Sequence, residues 1–113
     1  MKTCILAALL LIPCLSACVS SSQPLYYWGT YEAQIYAHLN GESRTAQISA
    51  MERDLERIKA DNKAVPPGFY AHLGLLFAET GDQGAAIAYF EMEKVLFPEA
   101  AVFMNLLIHN IGI

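Results

Sequence analysis

The chain has 113 residues, of which 55% are hydrophobic and 16% charged, and its formal net charge is -4. This length accommodates one domain at most. The acidic balance argues against a protein that binds nucleic-acid phosphates, which needs a basic face, and the high apolar content argues against a disordered chain.

Residues 1–17 have the features of a cleaved export signal. Lys2 precedes an apolar run, residues 4–12, that is too short to cross a bilayer as a helix. The sequence Leu15-Ser16-Ala17-Cys18 follows and resembles the bacterial lipobox, in which a peptidase cleaves before the cysteine and the thiol receives a diacylglycerol. An ordinary signal peptide followed by a chance cysteine is the alternative.

Cleavage before Cys18 removes Cys4 and Cys14, so the mature chain has no partner for a disulfide and no cysteine-based metal site. We predict that residues 18–24 form a lipidated, polar tether that reaches about 20 Å. We predict no cofactor besides the covalent lipid on Cys18. The second mature residue is Val19 rather than Asp. Its resemblance to Gram-negative lipoproteins therefore implies the periplasmic face of the outer membrane.

Residues 25–113 are predicted to form an all-α domain of about five short helices, because strand-like alternation of polar and apolar residues is absent. Thr30 is the expected cap of the first helix, which ends at Asn40-Gly41. Ser43 is the expected cap of the second, which carries Ile48 and Met51 on its apolar stripe. Its charged residues, Asp54 among them, are expected to face solvent.

Three further helices are predicted over residues 70–80, 83–97 and 99–111, separated by Gly81-Asp82 and by Pro98. Pro66-Pro67-Gly68 separates them from the second helix. The last helix is apolar on almost every side, so it either folds back on the domain or docks on another protein. We expect it to fold back.

One helical hairpin in this region resembles a tetratricopeptide repeat. The matching residues, counted from Pro67, are Tyr70, Leu73, Gly74, Phe77, Gly81, Asp82, Ala86, Phe90 and Pro98. The resemblance implies that Gly74 and Ala86 let two antiparallel helices approach closely. Glu93 departs from the pattern, since the repeat usually has Ala at that position.

Two stretches carry a wider resemblance, residues 25–31 (LYYWGTY) and residues 66–74 (PPGFYAHLG), which is continued at 89–94, 97–99 and 103–104. They are similar to the small bacterial lipoproteins grouped as domain of unknown function 4810, where Glu93 belongs to a Phe-Glu-x-Glu-Lys pattern. The resemblance implies an envelope assembly with protein partners, among them a CsgG-type lipoprotein. It provides no catalytic residue to transfer.

An aromatic cluster opens the mature domain and supplies the candidate partner-binding residues, which are Tyr26, Tyr27, Trp28 and Tyr31. Trp and Tyr pair an apolar body with a polar tip and are enriched where proteins meet other proteins or membranes. Packing inside the domain and contact with a membrane surface are the alternatives to partner contact.

The sequence offers little for catalysis or metal binding. His38, His72 and His109 fall on three different predicted helices, and none has a Cys, Asp or Glu three or four residues away within its own helix. Glu91 and Glu93 are two residues apart, so they point to different faces and cannot form an acid–base pair. We therefore expect no metal site, no catalytic residues and no enzymatic activity.

The function predicted from these observations is that of an outer-membrane-anchored lipoprotein acting as a non-catalytic adaptor. Its helical domain would bind another envelope protein while its lipid holds it at the membrane. Two alternatives remain open. The chain would otherwise be a homo-oligomeric structural lipoprotein whose last helices pair, or a binder of cell-wall glycan or a small ligand in an aromatic groove.

Overall fold

The computed structural model describes residues 23–112, so the predicted signal peptide, Cys18 and most of the tether lie outside the described residues. The α-helices within this range are α1 (Tyr31–Leu39), α2 (Arg44–Ala60), α3 (Phe69–Glu79), α4 (Gln83–Leu96) and α5 (Ala101–Ile111). A 3₁₀ turn, Pro98–Ala100, joins α4 to α5. The predicted all-α domain of five short helices is confirmed.

Local sequence signals set the helix ends. The Ser43 hydroxyl accepts a hydrogen bond from the Ala46 amide at 3.3 Å, and the Asp82 carboxylate accepts one from the Ala85 amide at 3.0 Å. Gly68, immediately before α3, has φ +85°, a conformation that favours glycine. The cap predicted at Ser43 and the break between helices predicted at Gly81-Asp82 are therefore confirmed.

The first core cluster joins α2 to α3. Its fully or almost fully buried members are Ile48, Met51, Phe69, Leu73 and Leu76. Tyr31 of α1 and Tyr89 of α4 pack against its edges, so all four helices contribute to one continuous apolar interior.

The second core cluster joins α4 to α5. Ala86 and Phe90 of α4 and Met104 of α5 are almost fully buried. Leu107, Ile108 and Ile111 of α5 pack against them. The C-terminal helix therefore folds back on the domain along this face, as expected from the sequence.

Gly74 marks the closest approach of α3 and α4. A Cβ atom at this position would lie 2.7 Å from a ring carbon of Phe90 and 3.1 Å from the backbone oxygen of Ala86. Such a contact is too short for a real side chain, which explains why the position is glycine. The close helix approach predicted at Gly74 and Ala86 is confirmed.

The segment before α1 is fastened along the α2–α3 connection. Tyr27 donates its amide hydrogen to the Ala64 carbonyl at 3.1 Å, and Ala64 donates its own to the Leu25 carbonyl at 3.2 Å. The ammonium of Lys63 donates to the carbonyl of Pro24 at 3.4 Å. These bonds fix where the chain leaves the domain toward the predicted tether.

Candidate interaction surfaces

The aromatic residues before and within α1 form a continuous series of ring contacts. The Trp28 ring lies 6.2 Å from that of Tyr26, edge to face, and 6.1 Å from that of Tyr31, stacked. Tyr31 in turn lies 5.5 Å from Phe69, a fully buried core residue. Tyr31 therefore packs within the domain, against the core, while Tyr26 and Tyr27 are half-buried.

Trp28 is the member of this cluster that faces solvent, with 44% of its surface exposed. Its ring packs against that of Tyr31 on one side and that of Tyr26 on another. Of the four predicted partner-binding residues, Trp28 is the one whose exposure best suits contact with another molecule.

The turn that presents Trp28 is pinned by Asp54 of α2. The Asp54 carboxylate accepts hydrogen bonds from the amide of Thr30 at 2.7 Å and from its hydroxyl at 2.6 Å. Gly29 has φ +48°, and a Cβ there would lie 2.6 Å from the carboxyl carbon of Asp54. The prediction that Asp54 faces solvent is therefore wrong, because this residue is buried. Thr30 occupies the N-cap position of α1 as predicted, but its hydroxyl donates to Asp54 and makes no capping hydrogen bond within the helix.

Glu93 of α4 binds the backbone at the N-terminus of α3, as Asp54 binds it at the N-terminus of α1. It is 2% exposed, and its carboxylate accepts hydrogen bonds from the amides of Gly68 at 2.6 Å and Ala71 at 3.3 Å. A negative charge at a helix N-terminus is favoured by the helix dipole and by the unpaired amides there. Glu93 therefore contributes to the α3–α4 contact, although it departs from the repeat pattern at this position.

The negative charge of Glu93 also affects the pKa values of two neighbouring tyrosines. Burial raises the pKa of Tyr31 and of Tyr70 above the usual value of 10.0, and the neighbouring carboxylate of Glu93 raises each pKa further. Both phenols therefore remain protonated and neutral throughout the physiological range. Glu91, two residues before Glu93, is exposed and pairs with Lys94 at 2.9 Å, so the two glutamates do face different ways, as predicted.

An apolar trough crosses the surface between the N-terminal segment and α4. Two adjoining depressions, of about 420 and about 330 Å³, share Tyr70 and Leu96 as lining residues. We call this feature the apolar trough and define it by Leu25, Tyr26, Tyr70, Met92, Val95 and Leu96. Leu25 and Val95 are 69% and 78% exposed, so the trough is open to solvent.

A second apolar surface, which we call the α5 ridge, consists of Val102, Phe103 and Leu106. These residues are 85%, 58% and 52% exposed. They lie on the side of α5 that faces away from the buried Met104 and therefore remain free after the helix has folded back. An exposed cluster of this kind is typical of an interaction site.

The third depression, of about 510 Å³, is lined largely by charged and polar residues rather than by apolar ones. It is lined by Ser49, Glu52, Arg53, Leu55, Glu56 and Tyr89, between α2 and α4. Charges of both signs alternate along its α2 side, and Glu52, Arg53 and Glu56 are exposed. This is the solvated helix face that the charge pattern predicted, apart from Asp54.

Two of the three histidines do come together. The rings of His38 and His72 lie 5.2 Å apart, edge to face, and His38 Nε2 lies 3.5 Å from the Glu79 carboxylate. Burial, and to a smaller extent the neighbouring His38, lower the pKa of His72 from 6.5 to about 4. Within residues 23–112, no three His, Cys, Asp or Glu side chains are grouped so that they could hold a metal ion.

No helix within the described range has the length and hydropathy needed to cross a bilayer. No interaction role was predicted from the sequence for the trough residues Met92, Val95 and Leu96. Their i, i+3, i+4 spacing forms a second apolar stripe on α4, and this signal would have found them.

Comparison with protein families gives a match over residues 25–107 to the domain of unknown function DUF4810. The chain belongs to this family. In this DUF4810 member the matched residues begin at the first residue of the apolar trough and include the α5 ridge. No curated protein and no solved structure matches the chain.

Proposed function

We propose that this DUF4810 protein is a non-catalytic adaptor of the bacterial envelope. Lipidated Cys18 would anchor it to the periplasmic face of the outer membrane, and its tetratricopeptide-like helical hairpins would bind another envelope protein. The lipobox-like sequence Leu15-Ser16-Ala17-Cys18 supports the anchor. The stacked helices α3 to α5 support the comparison with helical-repeat adaptors.

The α5 ridge is the observation that carries the binding role. A helix that ends a stack normally presents a polar outer face, because no further helix covers it. Val102, Phe103 and Leu106 instead expose more than half of their surface. Burying such side chains contributes about 1.5–3 kcal/mol each, part of which offsets the cost of association.

Anchoring would make even a modest interface effective. Two proteins held on the same leaflet meet at a much higher local concentration than two proteins free in solution. A CsgG-type lipoprotein, to which the family resemblance points, is the first partner to test because it would share that leaflet.

The experiment is site-specific crosslinking in the bacterium that makes the protein. A photo-reactive amino acid replaces Phe103 on the ridge in one strain, and Arg53 on the solvated face of α2 in a matched control strain. We expect an adduct with one other envelope protein from position 103, none from position 53, and none from position 103 when Cys18→Ser prevents anchoring. Absence of an adduct at position 103 would refute the adaptor role.

The homo-oligomeric alternative rests on the same ridge, and the same crosslinking experiment distinguishes it from the adaptor role. Two copies that meet through Val102, Phe103 and Leu106 would give an adduct of twice the mass of the chain, with this protein as its sole component. Sedimentation of the lipid-free chain would then show dimers whose proportion rises with concentration and falls in a Leu106→Ser variant.

A further inference from the structure

The apolar trough and the α5 ridge differ in where they lie relative to the tether. Leu25, which lines the trough, is the first residue after the tether of residues 18–24. Hydrogen bonds from Ala64 to Leu25 and from Lys63 to Pro24 hold this exit point against the α2–α3 connection. The trough therefore begins at the point where the chain would run toward its anchor.

The length of the tether limits how far the trough can be from the membrane. Residues 19–24 span about 20 Å even when fully extended. A tether that is not stretched brings Leu25 closer still, to the depth of the lipid headgroups. The surface that surrounds this exit point is thus the one that meets the bilayer first.

The chemistry of the trough fits a lipid interface. Aliphatic side chains, those of Leu25, Val95 and Leu96, lie next to two tyrosines, Tyr26 and Tyr70. Tyrosine is enriched at the headgroup level, where its ring is buried and its hydroxyl stays hydrated. The residues that line the Leu25 half of the trough include Lys63 and no acidic residue, although the whole chain carries a net charge of -4. The Val95 half includes one acidic residue, Glu91, whose charge is paired with that of Lys94.

We infer that the apolar trough rests on the membrane surface, with Leu25, Val95 and Leu96 inserted among the upper acyl carbons and headgroups. This inference rests on the proposed function, because the lipid on Cys18 supplies the short tether. In this orientation two separate surfaces have separate tasks: the trough meets lipid, and the α5 ridge remains available for a protein.

Trp28 provides a built-in probe of this contact. It is the one tryptophan of the chain, and its ring lies 6.2 Å from that of Tyr26, which lines the trough. The lipidated protein is reconstituted in vesicles of phosphatidylethanolamine and phosphatidylglycerol. The lipids carry bromine on the acyl chain, either near the headgroup or near the terminal methyl, and bromine quenches tryptophan fluorescence at short range.

We expect Trp28 to be quenched by bromine near the headgroup and much less by bromine near the terminal methyl. The double variant Val95→Ser/Leu96→Ser removes two exposed aliphatic side chains from the trough and should lower the ratio of docked to undocked molecules about tenfold. The matched control Val102→Ser/Leu106→Ser removes two from the ridge and should leave the quenching unchanged. Circular dichroism verifies that both variants keep their helices.

Vesicle flotation separates failure of this inference from failure of the anchor. If the wild-type protein floats with the vesicles but Trp28 stays unquenched, the protein is anchored and its trough faces away from the membrane. This result would overturn the present inference and leave the anchor intact. Equal quenching in the wild type and the Val95/Leu96 variant would also overturn it and would point to a protein as the occupant of the trough. A chain that does not float, with the Cys18→Ser variant as reference, would overturn both proposals.

Discussion

Replacing Glu93 tests whether a buried carboxylate holds the two helices of the α3–α4 hairpin together. The Glu93→Ala variant leaves the amides of Gly68 and Ala71 without their acceptor in a site that is 2% exposed. A hydrogen bond to a charged group is worth about 1.5–3 kcal/mol, and the 3.3 Å bond is the weaker of the two. We expect the free energy of unfolding to fall by about 3 kcal/mol, and Tm to fall by roughly 15 °C.

Urea denaturation of the lipid-free chain, made without residues 1–17 and with Cys18→Ser, measures this change by circular dichroism at 222 nm, the usual helix band. The Glu93→Gln variant keeps an acceptor oxygen but loses the charge, so it should lose about half as much stability. Glu91→Ala is the matched control, since Glu91 is an exposed residue two positions away whose ion pair with Lys94 is worth less than about 1 kcal/mol. Equal losses in the Glu93→Ala and Glu91→Ala variants would refute the capping role.

Other substitutions test the close helix approach, the buried histidine and the second buried carboxylate. Gly74→Ala should lower the free energy of unfolding in urea by about 1–3 kcal/mol, because its Cβ would overlap the ring of Phe90. Gly84→Ala, whose Cβ would lie 3.8 Å from the nearest side-chain atom, should leave stability unchanged or raise it. Equal effects of the two substitutions would contradict this reasoning. Because the pKa of His72 is about 4 in the folded chain and 6.5 when unfolded, unfolding takes up a proton between these values. Stability should therefore fall as pH drops from about 6.5 to 4, by up to about 3 kcal/mol, and a His72→Leu variant that keeps the full dependence would disprove the assignment. Asp54→Asn should weaken the turn before α1 and change Trp28 fluorescence, while Glu56→Gln on the solvated face of α2 should leave that spectrum unaltered.

Short-range signals explain why the helix boundaries were predictable. Asn40-Gly41, Pro66-Pro67-Gly68, Gly81-Asp82 and Pro98 each act on the backbone within a few residues of themselves, through a restricted φ, a missing amide hydrogen or a side-chain cap. The close contact at Gly74 was predictable from the resemblance to a tetratricopeptide repeat, which implies that Gly74 and Ala86 let the two helices approach closely.

The buried carboxylates were not predictable in the same way. The hydrogen-bond partner of Asp54 lies 24 residues away in the sequence, and Glu93 accepts from amides 25 and 22 residues away. Asp54 stands among exposed charges on α2 and has no local feature that separates it from them. Its burial depends on where the turn before α1 is placed by the rest of the fold.

The sequence by itself determined the all-α class and the ends of the helices, because caps, glycines, prolines and apolar spacing act over one or two helical turns. It also determined the family, because the family pattern is a match of residue types along the chain. The tertiary structure alone decided which polar groups are buried, how His38 meets His72, and which apolar residues remain outside. Burial depends on the packing of whole helices against one another. The trough and the α5 ridge are the apolar surface left over after that packing, so no local pattern fully specifies them.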